Sequence, residues 1–341
     1  MKLLSLRALG ALSLSLAFGC NKLPFGGQKA GAGGAEAQAA AADPVASADD
    51  KLGEKLEEYL KGCLNNYVRT EFRDSADNYV QYVDEKKGPT EAHPPYLRNV
   101  DPKQVEECVQ AAAKGKAMAP ALPELDNAVA AFAAAIKAGT PLLNDAQTYY
   151  DQKDYKDDKM AKGQALHPQL VALFKGVNSA SHAMSEAFAK QKGPLDAREL
   201  ERLKTKGPKL AYVTKRSIMD SDTFAKMIDV KSVKEFFALP APELQAKVDV
   251  LAQDYSELKA IVDAKGKDLE GTSNVDSYVS ALEKYLKSAK DVTRRIRDKT
   301  KFTDSELERL GTSGGWMTDG SPDKLNQDHD SLISEYNRMR L

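Results

Sequence analysis

The chain has 341 residues, with 49 Lys and Arg against 50 Asp and Glu, and only 7 % of its side chains are aromatic. So even a charge balance excludes the concentrated basic surface that phosphate backbones require, and nucleic acid is not expected as a partner. Abundant alanine and the near absence of alternating β-branched runs predict an all-α protein, an elongated antiparallel helical bundle with coiled-coil-like seams.

Residues 1–20 read as a lipoprotein signal peptide. Lys2 and Arg7 supply its positive start, and Ala8 to Phe18 supply an apolar run shorter than the ~20 residues of a spanning helix. It ends Leu16-Ala-Phe-Gly-Cys20, which resembles a bacterial lipobox, with Ala17 and Phe18 departing from the usual residues. The alternative is an ordinary secretory signal with an incidental cysteine. Lipidation of Cys20 is the expectation, because residues 21–50 form an Ala/Gly-rich tract too poor in large apolar side chains to repay its ordering. As a flexible tether it would span roughly 30 Å. Asn21, rather than Asp, follows the cysteine, which by resemblance to other lipoproteins points to the outer membrane.

Residues 51–341 form the expected helical bundle domain, long enough for one large bundle or two smaller ones at ~100–200 residues each. A first helix is predicted over 47–85. Its stripe of Leu52, Leu56, Tyr59, Cys63 and Tyr67 changes side at Phe72, Ala76, Tyr79 and Val83, so either the helix bends near Arg69–Glu71 or its halves pack on different neighbours. Gly88-Pro89 and His93-Pro94-Pro95 then force a loop. Asp101-Pro102 opens a short helix carrying Cys108. In an oxidising compartment Cys63 and Cys108 are expected to pair, restricting the unfolded chain by roughly 4 kcal/mol; the alternative is two buried thiols.

The central stretch, Leu125 to Phe188, is predicted as two long helices folded back on each other. Leu125, Val129, Phe132, Ile136, Leu143, Ala146 and Tyr150 mark one seam; Met160, His167, Leu170, Phe174, Val177, Met184 and Phe188 mark the other. The charged run Asp151 to Asp158 is the turn, and Pro141 and Pro168 predict kinks or short breaks. After Gly193-Pro194 a further helix carries Leu203, Leu210, Val213, Ser217, Phe224 and Met227, interrupted at Gly207-Pro208. Two regular helices follow, one on Leu244, Val248, Leu251, Tyr255, Leu258 and Val262, the other on Val275, Val279, Leu282, Leu286, Ala289 and Ile296. Thr303 to Glu306 reads as a capping box. Gly311 to Gly320 is a loop with the lone Trp316, and Ser321-Pro322 caps a last helix on Leu325, His329, Leu332, Tyr336 and Met339.

The chain has no Walker loop, GxGxxG fingerprint, GxSxG elbow or HExxH motif. No catalysis and no cofactor are expected. Of four histidines, His167 and His329 fall on seams and read as core residues. Only His182 and Glu186, one helical turn apart, form a weak candidate metal pair, and a partly exposed polar pair is the expectation there. Tyr149 and Tyr155, with Asp157 and Asp158, cluster at the hairpin end. Packing of the hairpin tip is the expectation for the two rings, and the cluster is otherwise the candidate binding surface.

Tyr149-Tyr150, Asp154-Tyr-Lys-Asp-Asp158, Lys162-Gly-Gln-Ala-Leu-His167, and the closing Gly320-Ser-Pro-Asp-Lys and Glu335-Tyr-Asn337 resemble the YiiG family of bacterial lipoproteins of unknown function. The resemblance spans 52–341. It implies an envelope location and a helical fold, and it implies no reaction. The expectation is therefore a lipid-anchored cell-envelope protein, held to the membrane through its anchor, that acts as a binding or structural module on another envelope protein or polymer. The alternative is a periplasmic ligand- or metal-handling bundle of the imelysin kind.

Overall fold

A computed structural model describes residues 44–230, 232–312 and 314–341. The signal peptide, Cys20 and most of the tether lie outside them. The described chain is all-α, with eleven α-helices and no sheet; its extended pairings are isolated bridges such as Asp84 with Gly88 and Thr90 with His93. The contacts of the described residues divide them into two compact units, 44–196 and 197–341. No helix among the described residues is long and apolar enough to cross a membrane.

The first unit starts with α1 (Pro44–Tyr59), which widens into a π-helical turn, Leu60–Leu64, before α2 (Tyr67–Tyr82). The expected bend thus falls at Asn65–Asn66, ahead of Arg69–Glu71. Asn66 causes it: its Oδ1 accepts from Val68 N–H as an N-cap, and its Nδ2 donates to the carbonyls of Gly62 and Gln104. A side chain satisfied by three backbone groups outside the helix competes successfully with helix continuation. Tyr67, read as a seam residue, lies beyond the break and is 73 % exposed, while Val68, Phe72, Ser75 and Tyr79 are buried.

Asp101 caps α3 (Pro102–Ala117) by accepting from Lys103 N–H, with Pro102 at the first helical position. Cys63 and Cys108 are disulfide-bonded, joining the π-turn to α3. Two glycines permit that approach. A Cβ on Gly62 would stand 2.1 Å from Ala111 Cβ, and one on Gly115 would stand 2.2 Å from the Tyr59 ring. Lys55 is fully buried. Its ammonium donates to the Asp126 carboxylate, 2.8 Å away, and to the Met118 and Pro120 carbonyls, while Tyr59 Oη donates to Asp126 Oδ1 at 2.7 Å.

The hairpin is α4 (Pro123–Asp151) and α5 (Ala161–Lys206). It is antiparallel: a Cβ on Gly139 would meet Leu173 at 2.2 Å, and ion pairs join Lys162 to Asp145 and Lys190 to Glu124. Pro141 and Pro168 do not break it. Helix α5 also runs on through Pro194, where a new helix was expected. Each proline removes one N–H from a helix of many, so the neighbouring bonds and packing carry the chain across. At the last of these sites Lys192 and Asp196, on either side of Pro194, form a largely buried ion pair.

In the second unit α6 (Lys209–Ile228), α8 (Ala241–Asp263), α9 (Val275–Arg297) and α11 (Pro322–Arg338) pack around one apolar core. The short α7 (Val233–Ala238), capped by Ser232, had no sequence expectation; Phe236 anchors it in the core. The capping box on α10 (Asp304–Arg309) and the Ser321 cap on α11 form as read. Small residues on α6 make room for rings from α9. Tyr278 Oη lies 2.8 Å from Ser217 Oγ, and Tyr285 Oη donates to the Ser221 carbonyl at 2.8 Å. Both phenols are buried with their polar ends satisfied, as such groups must be.

Arg216 clamps α6 to α8. Its Nε donates to Asp254 Oδ1 and its Nη2 to Glu257 Oε2, each at 2.6 Å. Asp254 is 1 % exposed and its Oδ2 has no donor. Burial pushes its carboxyl up to about 7, against the pull of Arg216 and with a further push from the Asp220 charge. Unfolded, Asp254 holds a proton only below about pH 4. Between there and about 7 the folded chain binds the extra proton, so this group favours folding in acid and loses that contribution as pH rises through 7.

Two measurements follow from these clasps. Cys63→Ser is expected to lower stability by roughly 2–4 kcal/mol in denaturant unfolding, whereas free thiols at both positions in protein purified without reductant would reject the pairing. Asp254→Asn holds the neutral form permanently. Its melting temperature relative to the parent chain should rise between about pH 4 and pH 7 and level off above; a pH-independent difference would contradict the assignment.

Candidate functional site

Packing of the first unit leaves one flank of α2 open. At 100° per residue Tyr67, Asp74, Asn78 and Tyr82 fall within about 80° of one another, on a strip running roughly 22 Å along the helix. Beside it runs an extended segment, residues 94–101. Its side chains alternate: Pro95, Leu97 and Val100 are buried, while Tyr96, Arg98 and Asn99 face water. That segment is fixed on both sides. Arg98 N–H donates to Ser75 Oγ of α2, and Val100 exchanges two hydrogen bonds with the Asn144 side chain of α4.

The outcome is a rigid face carrying three tyrosines, with Tyr67 73 %, Tyr96 54 % and Tyr82 49 % exposed. Arg98 stacks over the Tyr96 ring at 5.5 Å and reaches Asp74 at 3.7 Å. Glu71 lies between Asp101, Asp74 and Arg98. Burial first, then the Asp101 charge, holds its carboxyl above the usual range, and its Oε2 has no hydrogen-bond donor. Phenol rings, a guanidinium plane and carboxylates on one fixed surface can stack on, and hydrogen-bond to, a partner at little ordering cost.

The residues singled out from sequence lie elsewhere. Tyr149 and Tyr155 are buried, in keeping with packing of the hairpin tip rather than with a binding surface. Their rings pack edge-on to each other, and Tyr150 completes the cluster. Asp158 explains the arrangement: Oδ1 accepts from Tyr149 Oη at 2.8 Å and Oδ2 accepts from Lys162 N–H at 2.9 Å, starting α5. Burial and that carboxylate push the Tyr149 phenol up to about 12. Asp157 is exposed. Lys153, Lys159 and Met160 take left-handed backbone to close the turn, at about 1 kcal/mol or more for each such residue. The hairpin tip is a small core of its own.

His182 and Glu186 are both exposed, with Nδ1 and Oε1 3.5 Å apart, and no third ligand joins them among the described residues. His167 is held by Tyr79 Oη and the Glu85 carbonyl, and His329 pairs with Asp222 at 3.0 Å, so both are partnered core residues. The tyrosine face was missed because Tyr67 and Tyr82 were read within one continuous helix and Tyr96 within a loop. The alternation of residues 95–98 was its one readable signal.

The family described as "Protein of unknown function (DUF3829)" matches residues 50–338. This chain belongs to it. The "Uncharacterized protein YiiG" of Escherichia coli (strain K12) is 26 % identical over 298 residues, 84 % of this chain and 79 % of its own. The resemblance drawn from the hairpin and carboxy-terminal motifs is thereby met. No solved structure matches the chain. The family match takes in both the hairpin tip and the α2 face, and it names no activity for either.

Substitutions separate the two tyrosine groups. Tyr149→Ala should cost roughly 3–5 kcal/mol as a core truncation, and Tyr67→Ala should stay within about 0.5 kcal/mol. Equal costs in chemical denaturation would contradict the burial pattern.

Proposed function

We propose that this protein is a lipid-anchored cell-envelope binding module whose partner, a protein or polymer of the envelope, docks on the α2 face and residues 96–101. The observation that carries the reading is the trio Tyr67, Tyr82 and Tyr96, large side chains left in water on a backbone fixed from both sides. Tyrosine and arginine are the side chains that most often dominate binding energy. The envelope setting is supported by the signal-like start, Cys20 and the tract after it, and by a disulfide, which persists in oxidising compartments. Outer-membrane placement rests on Asn21. Catalysis is not part of the proposal: the side chains gathered on the face suit recognition.

The anchor and the face are tested separately. Cys20→Ser should move the protein from the membrane fraction to the soluble envelope fraction; sedimentation with membranes after a high-salt wash would sink the anchor. A photo-crosslinking residue at position 82 should give one dominant adduct in intact cells, and one at exposed Gln169 should not. Tyr67→Ala with Tyr96→Ala should then weaken binding of the purified, identified partner by roughly tenfold or more. Unchanged affinity would remove the face from the reading.

A further inference from the structure

The second unit exposes an apolar pair that its own fold does not use. Trp316, the lone tryptophan, is 47 % exposed and Met317 beside it 53 %, although the backbone around them is tightly held. Met317 and Thr318 N–H groups donate to the carbonyls of Gly314 and Gly315, and Asp323 Oδ1 accepts from Gly311 N–H. A Cβ on Gly315 would stand 2.6 Å from Asp323 Cγ, so the chain comes down hard onto α11. Thr318, Gly320 and Ser321, directly after the pair, are buried. Two large apolar side chains therefore stand out from an ordered turn.

That turn sits against the carboxy-terminal end of α9. Arg295 Nη2 donates to the Asp319 carbonyl at 2.9 Å, and a Cβ on Gly320 would stand 3.0 Å from the Asp291 carbonyl. The same end of α9 and the turn after it expose Arg294, Arg297, Lys299 and Lys301. Of the carboxylates within that stretch, Asp291 is matched to Arg294 and Asp298 to Arg297. On α10, Glu306 is taken by Arg295 and by its own cap; Asp304, Glu308 and the exposed Asp319 of the turn itself offset the cations around the site, so the positive charge is local to residues 294–301, where Arg294, Arg295, Arg297, Lys299 and Lys301 stand against Asp298.

We propose that the Trp316–Met317 turn, with the cations at the end of α9, is a contact site for an anionic lipid surface. Tryptophan is favoured at the membrane interface, where its ring lies at headgroup depth, and each basic residue near an anionic surface adds attraction that salt screens. A short apolar pair on a turn inserts between headgroups more readily than it fills a groove on a protein. The proposal rests on the lipid-anchored reading only for proximity: a tether of roughly 30 Å keeps the body at high effective concentration beside a bilayer.

Because Trp316 is the lone tryptophan, its fluorescence reports this site alone. The purified full chain is mixed with vesicles of phosphatidylcholine and phosphatidylglycerol in equal parts, carrying brominated acyl chains, and with vesicles of brominated phosphatidylcholine only. Emission should move to shorter wavelength and be quenched with the anionic vesicles, and high salt should reverse both. Arg297→Glu with Lys301→Glu should weaken this response by roughly tenfold or more, with thermal melting unchanged. Flotation of the chain with both kinds of vesicle reads the Cys20 anchor independently, so loss of one leaves the other measurable. Emission that ignores both vesicles overturns the proposal. So does emission that shifts only with lipid-free envelope protein, which would assign the turn to a protein partner.

Discussion

A lysine ammonium removed from water must be met on every side, and the first unit is arranged around one. Lys55 reaches both oxygens of the Asp126 carboxylate and two carbonyls of the connection before α4, and Tyr59 donates to the same carboxylate. Breaking such a pair from one side typically costs about 3–5 kcal/mol, because the remaining charge stays buried alone. The knot therefore fixes α1 against the start of α4. Less than two turns later the Cys63–Cys108 bond fixes the same chain to α3, and Asn66 ends the run. Where α2 begins, and so which of its residues face water, is set by these three contacts in succession.

Much of this was readable from residue pattern and some was not, for definable reasons. The seams from Leu125 to Phe188 reappear as buried stripes, and so do those from Leu244 to Ile296 apart from the partly buried Tyr255, Val262 and Val279, since a 3.5-residue apolar period has few other uses. Asp101, Thr303 and Ser321 cap helices as read, because capping depends on three or four consecutive residues. Asn66 was not readable: two of its three hydrogen bonds go to carbonyls at 62 and 104, and the distant one exists only after folding. The ring-for-serine fit of Tyr278 on Ser217 is likewise decided by neighbours remote in sequence.

The candidate site was the least legible part. Tyr149 and Tyr155 drew attention because they sit among charges, yet Asp158 uses those charges to draw Tyr149 inward. Tyr67, Tyr82 and Tyr96 looked ordinary and are the ones left outside. Charged surroundings do not make a ring a surface residue; a vacant neighbouring element does. The same reasoning applies to Trp316 in the second unit, where the backbone is satisfied locally and the side chain is left over.

If the α2 face is the docking surface, it is free in the isolated protein and occupied in the cell. Hydroxyl-radical footprinting of tyrosines in the purified chain and in intact cells tests it most directly. The account predicts strong reaction at Tyr67, Tyr82 and Tyr96 in the purified protein and marked protection of all three in cells, with buried Tyr59 and Tyr79 inert in both. Equal reactivity of the three in both settings would contradict it.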